Sequence, residues 1–166
     1  GSGKSTLLGL IAGVLKPVSG NISLSTTKIG YVGVKPLIVE GTLRENLLYG
    51  NKENVQISKI KDLINEFDLF QEDEAVDLNT KINNESLSSG QFQKIAFIRA
   101  LLANVKLLVL DESTSNLDET SKLKIINHLK KQNITIINST HNKDLFDYDQ
   151  ELKIYLEGST RKVLVY

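Results

Sequence analysis

The residues with the clearest chemical meaning open the chain: Gly1-Ser2-Gly3-Lys4-Ser5-Thr6, glycines, then a lysine, then hydroxyl residues. Small residues let backbone N–H groups close on phosphate oxygens. Lys4 then reaches the terminal phosphates, and the Ser5 hydroxyl is placed for Mg2+. Much later an apolar run, Leu107-Leu108-Val109-Leu110, ends in Asp111-Glu112. Such a run is a strand that delivers carboxylates to the ligand-binding edge of an α/β sheet. Adjacent carboxylates there divide the work: one neutralises Mg2+, and the other orients and deprotonates an attacking water. Each signal has a plain structural alternative. The opening matches a flexible linker, and Asp111-Glu112 matches an acidic turn before a helix that Asp118 can cap. Found together in one chain, the two motifs favour the phosphate chemistry.

Those side chains need elements to hold them. Residues 4–15 carry helical apolar spacing and stop at Lys16-Pro17, so the loop feeds a helix whose N-terminus favours an anion. Ile22 and Leu24 alternate with small polar residues, which predicts a short strand, and Lys28 to Val32 predicts another. Lys35-Pro36 and Gly41 mark a loop. Thr42 followed by Glu45 is a capping box, and helical spacing runs on to about Phe70 through Ile57, Ile60, Leu63, Ile64 and Phe67. Residues 71–86 are acidic and Asn-rich and read as a loop with little core. A helix is expected from Gln91 to Ala103, a buried strand from Leu107, a helix from Glu119 to Lys131 and a second buried strand from Ile134 to Asn138. Leu152–Leu156 and Lys162–Tyr166 read as edge strands. The whole is an α/β core interrupted by a helical block.

Composition sets outer bounds. The 166 residues fit one domain with a sizeable core. Lys and Arg number 20 and Asp and Glu 20, giving a formal net charge of zero, so charge gives no reason to expect nucleic-acid binding. There are no cysteines, hence no disulfide framework and no thiolate metal site. No apolar run is long enough to span a bilayer, and no signal peptide is present. The full phosphate-loop pattern, G-x-x-x-x-G-K-[ST], has a further glycine upstream. The chain begins too late to show it and contains no methionine, so the expectation is a fragment that starts inside its own active site.

Between the motifs lies Leu87-Ser88-Ser89-Gly90-Gln91, then Phe92-Gln93-Lys94-Ile95-Ala96-Phe97-Ile98-Arg99-Ala100. It reads as a serine N-cap and an amphipathic helix, and equally as an anion site made by Ser88 and the Gly90 amide. With this segment the whole pattern resembles the nucleotide-binding domain of ATP-binding-cassette (ABC) proteins. Gly1 to Thr6 is similar to the Walker A loop without its start. Leu87 to Gln91 is similar to the LSGGQ signature, with Ser89 where a second glycine is usual. Leu107 to Asp111 resembles Walker B, and Glu112 stands where the family has its catalytic glutamate. Ser115-Asn116-Leu117-Asp118 resembles the D-loop, and Ile136 to His141 places His141 as the switch histidine.

The resemblance implies a P-loop NTPase (RecA-like) α/β core with a helical signature subdomain, lacking the N-terminal strands. The core would comprise residues 1–41 and 104–166, and the helical part 42–103. It implies ATP and Mg2+ as cofactors. Gly1, Ser2, Gly3, Lys4, Ser5 and Thr6 would hold the nucleotide on one side, and Ser88, Ser89, Gly90 and Gln91 would reach it from a partner domain. Ser5 and Asp111 would serve the metal. Glu112 would be the general base, His141 would bond the γ-phosphate, Lys4 would act on the same group, and Asp118 would cross the interface. Partners would be a second nucleotide-binding domain and transmembrane domains, placing the chain at the cytoplasmic face of a membrane.

Gly30-Tyr31-Val32-Gly33-Val34-Lys35-Pro36 and Glu40-Gly41-Thr42-Leu43-Arg44-Glu45-Asn46-Leu47 resemble the Q-loop region of export-type members. That favours solute export over a soluble ABC ATPase or a weakly catalytic regulatory subunit. Val34 stands where the family has its glutamine and Gly33 where proline is usual. An apolar side chain there cannot bond metal or water, so slow hydrolysis or altered coupling is expected. The family's central strand before Walker A is absent, so residues 1–166 alone are expected to be poorly stable. Tyr31 and Tyr49 do not lie where the family stacks adenine, and His128, in a lysine-rich helix, reads as a solvated surface residue.

Overall fold

The computed structural model describes residues 3–70, 76–140, 147–158 and 160–165. Its centre is a parallel sheet of three strands: β1 (Ile29–Val32), β4 (Leu107–Asp111) and β5 (Thr135–Ser139), in the order β1-β4-β5. Ile29 stands opposite Leu107 and Tyr31 opposite Val109, while Asp111 stands opposite Ser139. β4 is buried along its whole length, as an apolar strand paired on both sides must be.

The alternation of side chains along β4 sorts the helices. Leu107 and Val109 pack with Leu8 of α1 (Lys4–Ile11), whereas Leu108 and Leu110 belong to the larger core. That core takes in α3 (Ile57–Glu66), α4 (Ser89–Leu102) and α5 (Glu119–Lys130). α1 therefore covers one sheet face and α4 and α5 the other. Asp111 continues the Leu107–Val109 parity, so its carboxylate emerges on the α1 side.

Caps set several boundaries. Thr42 and Glu45 form the expected capping box at α2 (Leu43–Leu47). Ser88 and Gln91 form a second at α4, and Asp118 caps α5 by accepting from the Ser121 amide at 2.9 Å. Each satisfies amides that the helix start would otherwise leave unpaired.

Several expectations need correction. The first helix ends at Ile11 rather than residue 15, because Gly13 takes a left-handed φ of 73° just past the Ala12 cap. Residues 21–24 form no strand: Ile22 and Leu24 find no pairing partner among the described residues and line a hollow at the C-terminal end of α1. The helical stretch after Thr42 is two helices, α2 and α3, parted by a turn at Gly50-Asn51 where the Asn51 side-chain amide donates to the Leu102 carbonyl at 3.0 Å. The acidic segment after it contributes to the core: Leu78 and Ile82 are buried, and β3 (Lys81–Ile82) pairs antiparallel with β2 (Gly41–Thr42). Strand β5 is only half buried, being paired on one side among the described residues. β6 (Leu152–Glu157) and β7 (Thr160–Val165) pair with each other as an antiparallel hairpin. Finally, His128 is not freely solvated. Its side chain is 16 % exposed, its Nδ1 lies 2.7 Å from a Glu66 carboxylate oxygen, and its ring stands edge-on to Phe67.

Candidate functional site

Gly3 caps α1 at φ 90°, a left-handed conformation that a side chain resists. No side chain caps this helix and no acid occupies its first turn. Its leading amides and partial positive charge thus face outward for an anion, with Lys4, Ser5 and Thr6 exposed beside them. Gly1 and Ser2 lie outside the described residues.

Asp111, only 4 % exposed, closes β4 next to that helix start. The Ser5 hydroxyl donates to its Oδ1 at 3.1 Å, and the Tyr31 hydroxyl donates to its Oδ2 at 3.2 Å. Burial, then the Asp111 charge and the hydrogen bond to it, push the Tyr31 phenol above its usual value, so it stays a donor at neutral pH. A hydroxyl and a carboxylate side by side are hard oxygen donors of the kind Mg2+ takes when nucleotide phosphates supply other ligands. No cluster of three or more metal-ligating acids or histidines occurs among the described residues. The donor set of Ser5 and Asp111 fits a hard cation that also takes phosphate oxygens.

Glu112 follows with φ +50°. Two other non-glycine residues share that region, Asp68 and Asn104, and each sits just past a helix C-cap, where short polar side chains are at home. Glu112 has no such role. Its strained backbone is held by its own amide, which donates to the Ser139 carbonyl at 2.9 Å. The hydroxyls of Ser113 and Ser139 are buried around this corner with no hydrogen-bond partner among the described residues. A strained glutamate between orphaned hydroxyls, at the end of the strand that carries Asp111, is the arrangement expected of a reactive centre. His141 lies outside the described residues, two positions after the end of β5.

The signature segment is on the other side of the sheet. Ser88 Oγ accepts from the Gln91 amide at 3.2 Å, and Gln91 Oε1 accepts from the Ser88 amide at 2.8 Å. The Gln91 side-chain amide also donates to the Leu69 carbonyl at 3.2 Å. Ser88 and Ser89 are exposed, and Gly90 lies against the Asn116 carbonyl. Within one chain, then, Lys4, Ser5, Asp111 and Glu112 come together, and Ser88 to Gln91 form a separate exposed helix start.

Sequence reasoning missed Gln93. It is fully buried, and its amide donates to the Gly33 and Val34 carbonyls at 3.1 and 2.9 Å. Asn116 also donates to the Val34 carbonyl, at 3.4 Å. The backbone of the loop after β1 is thus fixed by α4 and by the segment after β4, while the Val34 side chain is free to face solvent. A polar residue on the buried side of an otherwise apolar helix was the available signal. Asn46 was missed likewise: fully buried, it accepts from the Val39 amide and donates to the Val39 and Thr42 carbonyls.

The ABC transporter family pattern matches residues 1–115. The chain is 33% identical over 174 residues to a lactococcin-A transport/processing ATP-binding protein of Lactococcus lactis, covering 95% of this chain and 24% of that protein. It is 37% identical over 147 residues to a nickel import system ATP-binding protein of Staphylococcus aureus, covering 83% of this chain and 61% of that protein. The chain thus spans about a quarter of the length of the lactococcin relative. A solved bacterial Atm1-family ABC exporter with ATP bound superposes with a TM-score of 0.77 at 22% identity, over 90% of this chain and 30% of that one, which identifies the same fold. With a family pattern that matches residues 1–115 and a shared fold, this chain belongs to the ABC transporter family.

Proposed function

We propose that this chain binds and hydrolyses ATP with Mg2+ and so drives solute export, as the ATPase domain of an ABC transporter. The observation that carries the reading is the meeting of Ser5 with Asp111 beside the uncapped start of α1, with Glu112 next along the strand. Lys4 and the α1 amides bind the phosphates. Ser5 and Asp111 hold the cation, whose charge offsets that developing on the phosphoryl oxygens. Glu112 takes the proton of the attacking water, and His141 steadies the γ-phosphate. Ser88, Ser89, Gly90 and Gln91 engage nucleotide held by a second such domain. Their separation from Lys4 within one chain is what a two-domain sandwich requires. Residues 1–41 with 104–166 act as the core and 42–103 as the helical part that meets transmembrane domains at the cytoplasmic face. Export rather than import rests on the Gly41 to Leu47 text and on the lactococcin relative, against the nickel import relative.

The test is ATP turnover of the full polypeptide with and without Mg2+, beside Lys4→Ala and Asp111→Asn. Cation-dependent turnover lost in both variants supports the reading; turnover indifferent to both contradicts it. A second reading, a regulatory half-site with weak turnover, is favoured by the apolar Val34. It predicts nucleotide binding without appreciable hydrolysis.

A further inference from the structure

Tyr31 belongs to none of the motifs that bind phosphate, yet it touches the residue at their centre. It stands opposite Val109 on the α1 face of the sheet, and its hydroxyl donates to Asp111 Oδ2 at 3.2 Å. Ser5 holds the other oxygen, Oδ1, at 3.1 Å. The carboxylate is therefore clamped at both oxygens by donors from two different elements. The tyrosine ring reaches it by folding over Gly33. A Cβ at that position would lie 3.0 Å from Tyr31 Cε1 and 3.1 Å from its hydroxyl, tighter than most side-chain contacts, so the ring would have to give by a few tenths of an ångström. Gly33 has no positive φ, so the want of a side chain matters here for space and not for backbone freedom. The contact depends on two residues of this sequence together, a tyrosine at 31 and a glycine at 33.

We propose that Tyr31 is a positioning residue for the cation seat: its hydroxyl fixes the Asp111 carboxylate so that Oδ1 faces Ser5, and Gly33 makes room for the ring that does so. The inference rests on the proposed function, since it assigns Asp111 to the cation. Partners that orient a metal's carboxylate ligand raise metal affinity without touching the metal, and losing one costs about tenfold or more. Tyr31 makes no contact with nucleotide in this account, so binding of nucleotide without cation should not depend on it.

The experiment uses the full polypeptide that carries these residues, as wild type, Tyr31→Phe and Gly33→Ala. Mn2+ stands in for Mg2+ because it takes the same oxygen donors and gives an electron-paramagnetic signal. Mn2+ affinity is measured by that signal in the presence of a slowly hydrolysed ATP analogue. Affinity for a fluorescent ATP analogue is measured separately in EDTA. The expected result is a loss of about tenfold in Mn2+ affinity in Tyr31→Phe, with EDTA affinity unchanged. Gly33→Ala, which keeps the hydroxyl but shifts the ring by a few tenths of an ångström, should show a smaller loss of Mn2+ affinity with EDTA affinity again unchanged. Unchanged Mn2+ affinity in Tyr31→Phe overturns the inference. So does an equal loss of nucleotide affinity with and without cation, which marks general damage. If the wild type itself binds nucleotide without regard to cation, the proposed function fails first and the inference falls with it.

Discussion

Glu112 sits at φ +50° away from any helix end, at the head of a turn in which its carbonyl accepts from the Ser115 amide at 3.2 Å. For a non-glycine residue this costs about 1–2 kcal/mol, which the rest of the structure must supply. The strain has a measurable signature. Glu112→Gly and Glu112→Ala both remove the side chain, but only glycine relaxes at this φ. Chemical denaturation should find the glycine variant more stable than the alanine variant by about 1 kcal/mol. The reverse order would show that the backbone there is unstrained. Val34 poses the complementary question. Its carbonyl is held by Gln93 and Asn116 while its side chain is 39 % exposed, so the side chain can change without moving the loop. Val34→Gln is expected to leave the melting temperature unchanged and raise ATP turnover about tenfold, the worth of one hydrogen bond to a charged group. Unchanged turnover would mean that the missing amide is not what limits this chain.

At the scale of elements, Asn46 ties α2 to the loop before it. It answers both polar groups of Val39 from a fully buried position, and its own carbonyl accepts from Arg99 Nε at 2.7 Å. Asn46→Ala leaves those backbone groups unpaired and should cost about 2 kcal/mol by urea denaturation. Thr42→Ala, which removes only the cap, should cost about 1 kcal/mol. Equal small losses would argue against a buried role for Asn46. These cases also mark what the sequence could tell. Thr42 with Glu45, and Asp118 before its helix, were legible because caps are local. So was Leu107 to Asp111, because a continuous apolar run ending in acids has few readings. Ile22 and Leu24 misled because alternation over so few residues is weak, and pairing partners are not written in a strand's own sequence. Tyr31 and Gln93 escaped notice as site or loop anchors because each acts on atoms far along the chain: Tyr31 on Asp111, Gln93 on Gly33 and Val34.

The molecule as a whole places Lys4 and Ser5 on one helix and Ser89 to Gln91 on another, and the two helices cover opposite sheet faces. No helix among the described residues is long and apolar enough to cross a membrane. Among the described residues the shifted carboxylates all move one way. Hydrogen bonds from the Ser121 side chain and amide lower Asp118, and bonds from the Thr42 amide and hydroxyl lower Glu45. Lys28 lowers Glu53, and Lys130 lowers Asp147. A carboxylate lowered on folding adds stability that is complete above its unfolded value and lost as pH falls through its folded one. Denaturation midpoints should therefore drop as pH falls below about 4. Midpoints constant down to about pH 3 would contradict that assignment.

In the proposed function Glu112 activates water beside a nucleotide whose phosphates Lys4 and the α1 amides bind and whose cation Ser5 and Asp111 hold. The direct test is ATP turnover of the full polypeptide beside its Glu112→Gln variant, with nucleotide affinity measured in both. The account predicts turnover in the parent, a loss of at least about a hundredfold in the variant, and nucleotide binding that persists there with the domains stalled as a dimer. A variant that turns over ATP like its parent, or a parent that binds ATP and never hydrolyses it, would contradict the claim.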